Sequence, residues 1–475
     1  MHTNQSLKAL KNKVLQGGIY LTIRQLAASV LSLVSVLVIA RILGPENYGI
    51  FVSASFILYF TFWTAKCGLD VYSIRQPNLP KDAAEQILAF YNTAGIGLCV
   101  LLWFATPLVG AWTGQSVLVE VLRWLVPVIW LEMVANASIS MMERELRFPQ
   151  VGLIETLAQV ANYAVSVPLV LLNWGYWGPI AGFFAQFALL AIMASYCYPI
   201  AWRWRWRSQF IGSALRSGLA YSGSNLIWNL KTLTLPLIVS RLAGLEATGI
   251  VGIAIRLSDQ LGMLRIVIAR LSMSTLAKLL GNAEAVRRTV SRGIVYQGLL
   301  VGPVFATFSC CASWIVPLIF GKSWLPSAQV FTFVALATLL YTIFNMHISA
   351  LYAAGHNRDV ARFNVIYISM FWLAAWLLLP VLGAWGYGVA EVFAIPSFVA
   401  LHCSITKLYG SPDYGDGMWL IVTTAIPLLA GPWFPFYMSL SLLVGSYGIL
   451  FLARPTLRSI PMELYAAWKA PKPAK

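Results

Sequence analysis

Apolar runs separated by short polar or glycine- and proline-bearing segments recur along the whole chain, and each run has the length of a membrane-crossing helix. About 20 residues are needed to cross roughly 30 Å of hydrocarbon. The pattern predicts spans at 17–40, 48–66, 87–111, 117–141, 151–172, 177–201, 217–240, 248–269, 293–319, 327–353, 363–382, 388–408, 417–434 and 436–453. The breaks carry turn chemistry, as at Gly44-Pro45, Thr113-Gly114, Gly175-Tyr176 and Gly383–Gly388. Pro432 and Pro435 make the weakest break, so the expected number is twelve to fourteen. The stretch after Lys13 is a full-length span without a small-residue cleavage site, and it reads as the first helix.

Composition turns this pattern into a class. Of 475 residues 59% are hydrophobic and 11% charged, with a mean hydropathy of +0.74, whereas a soluble protein carries about 25% charged residues. The chain is therefore expected to be an all-α polytopic membrane protein. None of its loops is long enough for a soluble catalytic domain, which speaks against an enzyme. The six Cys lie in or beside apolar runs, read as small buried hydrophobes and show no disulfide or metal-ligand spacing. No metal or cofactor is expected.

The net charge of +16 resolves into a topology signal. Twenty-five of the 33 Lys and Arg fall on the N-terminal arm, on every second loop, or on the C-terminal tail, and only Arg41, Arg241 and Lys322 lie in the intervening loops. Positively charged loops stay cytoplasmic, so both termini are expected inside. The alternation Trp202–Arg207 between the halves reads as an interfacial belt facing anionic lipid rather than a nucleic-acid site.

The chain also repeats itself. Arg41-Ile-Leu-Gly44-Pro-Glu46-Asn-Tyr-Gly49-Ile50 matches Arg241-Leu-Ala-Gly244-Leu-Glu246-Ala-Thr-Gly249-Ile250 at five of ten positions, and Trp174-Gly175-Tyr176 returns as Trp385-Gly386-Tyr387. Both offsets equal six spans, an even number, so the halves share one orientation. The pattern predicts two parallel six-helix bundles plus two C-terminal helices, a plan known among alternating-access transporters. The expected division is an N-terminal bundle at 1–201, a cytoplasmic linker at 202–216, a C-terminal bundle at 217–408, an extra helix pair at 409–453 and a basic tail at 454–475.

Charges inside spans are the candidate chemistry, because each costs about 2.5–3.5 kcal/mol at mid-membrane and so faces a cavity or a partner. Lys231 stands ten residues before Arg241, roughly 15 Å of helix and near the midplane. Ser217, Tyr221, Ser224, Trp228 and Lys231 share its face, with Asn225 beside them: hydroxyls, aromatics and a cation suited to a sugar carrying phosphate. Arg24, with Tyr20 one turn before it, either meets an anion from the cytoplasm or snorkels to lipid phosphate. Arg256 and Asp259, at i and i+3, most simply pair. Arg265 and Arg123 lie near the inner and outer ends of their spans. Glu132 with Asn136 and Ser140, and Glu155 with Gln159 and Asn162, form either ion-coupling sites or interhelical seams. Glu391 has no evident partner, and His347 and His402 read as isolated packed residues.

The segments RILGPENYGIF (Arg41–Phe51) and ERELRF (Glu143–Phe148), with the duplicated plan, resemble the polysaccharide-transporter branch of the multidrug/oligosaccharidyl-lipid/polysaccharide flippase superfamily. That resemblance implies flipping of an undecaprenyl-pyrophosphate-linked oligosaccharide to the outer leaflet of a bacterial inner membrane, for O-antigen, capsule or exopolysaccharide. It also implies a cationic cavity, a role carried by span and chemistry onto Arg24 and Lys231, with Tyr221 and Trp228 on sugar. Glu132, Glu155, Arg256, Asp259 and Glu391 stay open between ion coupling and structural pairing. The implied partners are the lipid-linked oligosaccharide, membrane lipids and other polysaccharide-assembly proteins. Two alternatives remain: a drug or metabolite antiporter of the same superfamily, and a scaffold for polysaccharide synthesis.

Overall fold

The computed structural model describes residues 35–458 apart from 77, 264, 266–271 and 273–274, and does not describe the side chains of Ala220, Tyr221 and Ser224. The described residues contain helices and turns and no strand. In chain order the helices are α1 (Ser35–Lys66), α2 (Leu69–Arg75), α3 (Ala83–Thr113), α4 (Ser116–Arg144), α5 (Phe148–Leu171), α6 (Trp177–Cys197), α7 (Ser208–Asn229, prolonged by irregular turns) and α8 (Gly244–Leu261). There follow α9 (Ala283–Ile319), α10 (Leu325–Ala353), α11 (Asn357–Leu382), α12 (Trp385–Tyr409), α13 (Gly415–Ala430) and α14 (Phe436–Ala453). Each expected span from 48–66 onward overlaps a described helix, the one at 248–269 as far as Leu261, while the first lies mostly outside the described residues. Nine of the described helices are long and apolar enough to cross a membrane. The chain is a multi-pass helical membrane protein.

The loops are shorter than the charge pattern suggested. α2 occupies the segment after Lys66. α9 starts at Ala283, because the Asn282 side chain accepts the Ala285 N–H at 3.0 Å and caps an orphan donor of its first turn. With 37 residues, α9 is about 55 Å long, more than a bilayer core. The ERELRF segment has a local structural use. Arg144 donates to the Ser73 and Gln76 carbonyls at 2.6 and 2.5 Å and closes the end of α2. Glu145 pairs with Arg147 at 2.6 Å and accepts from the Tyr198 hydroxyl at 3.1 Å.

Contacts divide the chain into two compact units, up to Gly252 and from Ile253 on. The first has a core of Phe62, Leu122, Ile129, Phe183 and Phe187 from α1, α4 and α6, with the Phe62 and Phe187 rings edge-to-face at 5.1 Å. The second buries Phe305, Phe331, Phe363 and Phe371 completely. Apolar side chains such as Phe104, Leu108 and Val381 stand exposed, as lipid-facing positions of a membrane helix do, so the helices associate through close packing rather than water exclusion.

The repeated decapeptides meet each other inside the first unit. Gly44 and Gly244 take φ values of +70° and +85°, where only glycine is unstrained; Gly244 begins α8, whereas Gly44, expected as the break between the first two spans, lies within α1. Gly49 and Gly249, one repeat apart, then pack reciprocally. A Cβ on Gly49 would lie 1.9 Å from the Leu245 carbonyl oxygen, and one on Gly249 would lie 2.0 Å from that of Pro45. Pro45 and Leu245 are themselves equivalent positions. The duplication thus has a pseudo-symmetric contact in which each copy's glycine admits the other's backbone.

Two expectations need revision. Cys403, expected buried, is exposed on α12. The Trp-Arg linker is clamped to the start of α3: Arg205 Nε lies 2.9 Å from Glu85, Arg207 lies 3.1 Å from Asp82, and the Arg207 N–H donates to Gln86. Carboxylates of the chain itself therefore engage these two guanidiniums.

Candidate functional site

α7 is regular only to Asn229. It tightens to a 3-10 turn over Leu230–Leu233, widens to a π turn over Leu235–Val239 and resumes at Ser240. The cause is local. Pro236 has no N–H to give the ladder, and the Thr232 and Ser240 hydroxyls donate to the Asn229 and Pro236 carbonyls. Such interruptions gather at functional sites, and transporters place discontinuous helices at their binding positions.

Lys231 sits within this break. Its Nζ lies 5.5 Å from the centre of the Trp228 ring, so the cation and the aromatic expected to share a face do so. Both side chains are half-buried. Tyr221 belongs to the same helix, but its side chain is outside the described residues, as is all of Arg24. The break itself was missed from sequence, although Pro236 within an otherwise helical apolar run was its signal.

The intramembrane acids are held by neighbours. Glu132 on α4 forms an ion pair with Lys66 at the end of α1, at 2.8 Å. Charge counting puts Lys66 in a cytoplasmic loop; in the structure it is the last residue of α1 and stands opposite a buried carboxylate. Asn136, one turn on, donates to the Tyr91 hydroxyl at 3.1 Å, an interhelical seam. On α5 the seam is Asn162, which donates to Gln186 of α6 at 2.6 Å and accepts from Ser166. Glu155 lies exposed on the same helix. Asp259 engages Arg265 at 2.7 Å, and Arg256 lies one turn before Asp259 on α8. Glu391 is buried and hydrogen-bonded to Tyr387.

The structure also joins residues that sequence left apart. The Tyr414 hydroxyl lies 2.7 Å from His347 Nε2 and 2.9 Å from His402 Nδ1, and the His347 and Tyr414 rings stack with an interplanar angle of 11°. A phenol has one hydrogen to give, so one imidazole nitrogen accepts while the other donates. Burial pushes the Tyr414 hydroxyl up to about 12, so the phenol keeps its proton. No periodicity links a loop tyrosine with two histidines on different helices.

Comparison with known proteins places the chain. Residues 38–329, more than half of its length, match the family described as "Polysaccharide biosynthesis protein". The lipopolysaccharide biosynthesis protein WzxC of Escherichia coli (strain K12) is 23% identical over 93% of this chain and 88% of its own. The succinoglycan biosynthesis transport protein ExoT of Rhizobium meliloti (strain 1021) is 21% identical over 91% and 82%. Among solved structures, the lipid II flippase MurJ in an inward closed conformation superposes with a TM-score of 0.74 over 91% of this chain and 98% of its own, at 13% identity. An inward-facing multidrug-resistance transporter of the MATE family gives 0.63 over 80% and 95%, at 15% identity. The chain belongs to the polysaccharide biosynthesis protein family and has the fold of the multidrug/oligosaccharidyl-lipid/polysaccharide flippase superfamily.

Proposed function

We propose that the protein carries a lipid-linked oligosaccharide from the cytoplasmic to the outer leaflet of a bacterial inner membrane by alternating access. The observation that carries this reading is Lys231 beside Trp228 at the break in α7. A cation attracts the phosphate that joins a glycan to its lipid, and an indole face stacks on sugar C–H groups. The names of WzxC and ExoT support a polysaccharide precursor as the cargo, and the MurJ fold is that of a lipid-linked sugar flippase. Arg24 is the second cation proposed for the phosphate, and Tyr221 the second aromatic for the sugar. A cationic drug would meet repulsion from Lys231, which disfavours the antiporter.

The test is export in a strain deleted for the gene and complemented with variants. Lys231→Ala, and more strongly Lys231→Ala with Arg24→Ala, should lose export at normal protein abundance, with lipid-linked oligosaccharide accumulating on the cytoplasmic leaflet. Lys231→Arg should retain most of it. The ion pairs Lys66–Glu132 and Arg265–Asp259 favour one rival, a scaffold whose membrane charges serve structure alone. Full export by the double variant would decide for that rival.

A further inference from the structure

A cavity of about 800 Å³ opens at the surface of the first unit between α3, α4 and α6. Its walls are Trp103, Trp124, Pro127 and Phe184, and its charged lining is Arg123 and Glu120. Trp103 and Trp124 are 45% and 60% exposed, more than a packed core would leave them. The guanidinium of Arg123 is fixed at one end. Its Nε donates to Thr106 Oγ1 at 3.2 Å, the Thr106 hydroxyl donates onward to the Trp103 carbonyl at 2.9 Å, and the guanidinium lies 5.5 Å from the centre of the Trp103 ring. A snorkelling arginine would extend to water, whereas this one is braced.

Glu120 stands one turn before Arg123 and lines the same cavity, yet the two are not paired, and neither has an ion-pair partner within 4 Å among the described residues. A braced cation and an exposed anion one helical turn apart, above apolar aromatic walls, complement a zwitterion with an apolar body. We infer that this cavity holds a phospholipid of the phosphatidylethanolamine class. Its phosphate meets the terminal nitrogens of Arg123, its ammonium meets the Glu120 carboxylate, and its acyl chains lie against Trp124, Pro127 and Phe184. The ethanolamine nitrogen sits two carbons from the phosphate ester, which suits the roughly 4.5 Å rise between residues three apart on a helix. A sugar fits worse, because Ser116 is the one further hydroxyl in a lining otherwise apolar or charged. With the Lys- and Arg-rich loops inside, the cavity lies at the outer leaflet, on α3 and α4 beside the Gly114 turn. The inference is independent of what the protein transports.

The experiment is native mass spectrometry of the full-length protein, delipidated in detergent and incubated with phosphatidylethanolamine, phosphatidylcholine or phosphatidylglycerol. The wild type should retain phosphatidylethanolamine about tenfold better than either of the others, as expected where a charge-assisted hydrogen bond is made or lost. Arg123→Gln should lower its retention about tenfold. Glu120→Gln, a conservative change at an exposed position, should abolish the preference over phosphatidylcholine while leaving phosphatidylcholine retention unchanged. Soluble glycerophosphoethanolamine should not displace the lipid at equal concentration. Equal retention of the three lipids by wild type, an unchanged preference in Glu120→Gln, or displacement by the soluble headgroup would overturn the assignment.

Discussion

Lys66 occupies the last position of α1, followed by the left-handed Cys67 and Gly68, and in sequence it is indistinguishable from a loop lysine that marks the cytoplasmic face. Its partner, Glu132, is 66 positions away on another helix, a separation no periodicity encodes. By contrast, Lys231 and Trp228 share a helical face at i and i+3, so their proximity was legible. The depth of the Lys66–Glu132 pair decides its weight: the side chains are 22% and 11% exposed, so solvent screens the charges poorly. Removing one partner of a buried pair leaves an uncompensated charge and costs about 3–5 kcal/mol, whereas replacing both with apolar groups is often neutral. Lys66→Ala should therefore lower the thermal midpoint of the purified protein by far more than Lys66→Met combined with Glu132→Leu. Unfolding in detergent followed by intrinsic tryptophan fluorescence compares them, and equal midpoints for wild type and Lys66→Ala would show the pair to be idle.

Among the helices, regular spans were legible because the bilayer imposes one length and one polarity on each. Their irregularities were not. α7 changes its winding twice within ten residues around Pro236, and the sequence marks the place without saying that helical structure resumes at Ser240. The repeated decapeptide reads as a turn motif, but the different duties of its glycines appear only in three dimensions: Gly44 and Gly244 take the left-handed conformation, while Gly49 and Gly249 supply room. The obstacle at Gly249 is a backbone carbonyl, which cannot rotate aside as a side chain can. Gly249→Ala should cost about 3 kcal/mol, the upper range for overpacking, and Gly49→Ala a similar amount because the contact is reciprocal. Gly97→Ala on α3 is the control, since nothing lies within 4 Å of its added methyl. A thermal midpoint for Gly249→Ala that matches that of Gly97→Ala would remove the close approach as a structural requirement.

At the scale of the whole molecule, orientation rests on charge alone. Twenty-five of 33 cations alternate onto one side, and the structure adds that some of them are also structural: Lys66 pairs with Glu132, and Arg205 and Arg207 hold Glu85 and Asp82. Of the cations in the cation-poor loops, Arg241 stacks on Trp112 at 4.2 Å and donates to its carbonyl, so it braces the end of α3. Moving Lys66 out of the loop set leaves the bias intact, because the linker, the segment before α9 and the C-terminal tail each retain several cations. Membrane-impermeant maleimide labelling of single-cysteine variants, in a background with all six native cysteines replaced by Ser, tests it in both halves. Trp174→Cys and Ser323→Cys, exposed in the cation-poor loops, should label in intact cells, while Arg203→Cys and Arg358→Cys, exposed in the cation-rich loops, should label only after permeabilisation. The inverse pattern would put both termini outside, and with them the side from which a cargo is taken. A pattern that differs between the halves would break the expected span count, since four spans, an even number, separate Trp174 from Ser323 and put them on one face.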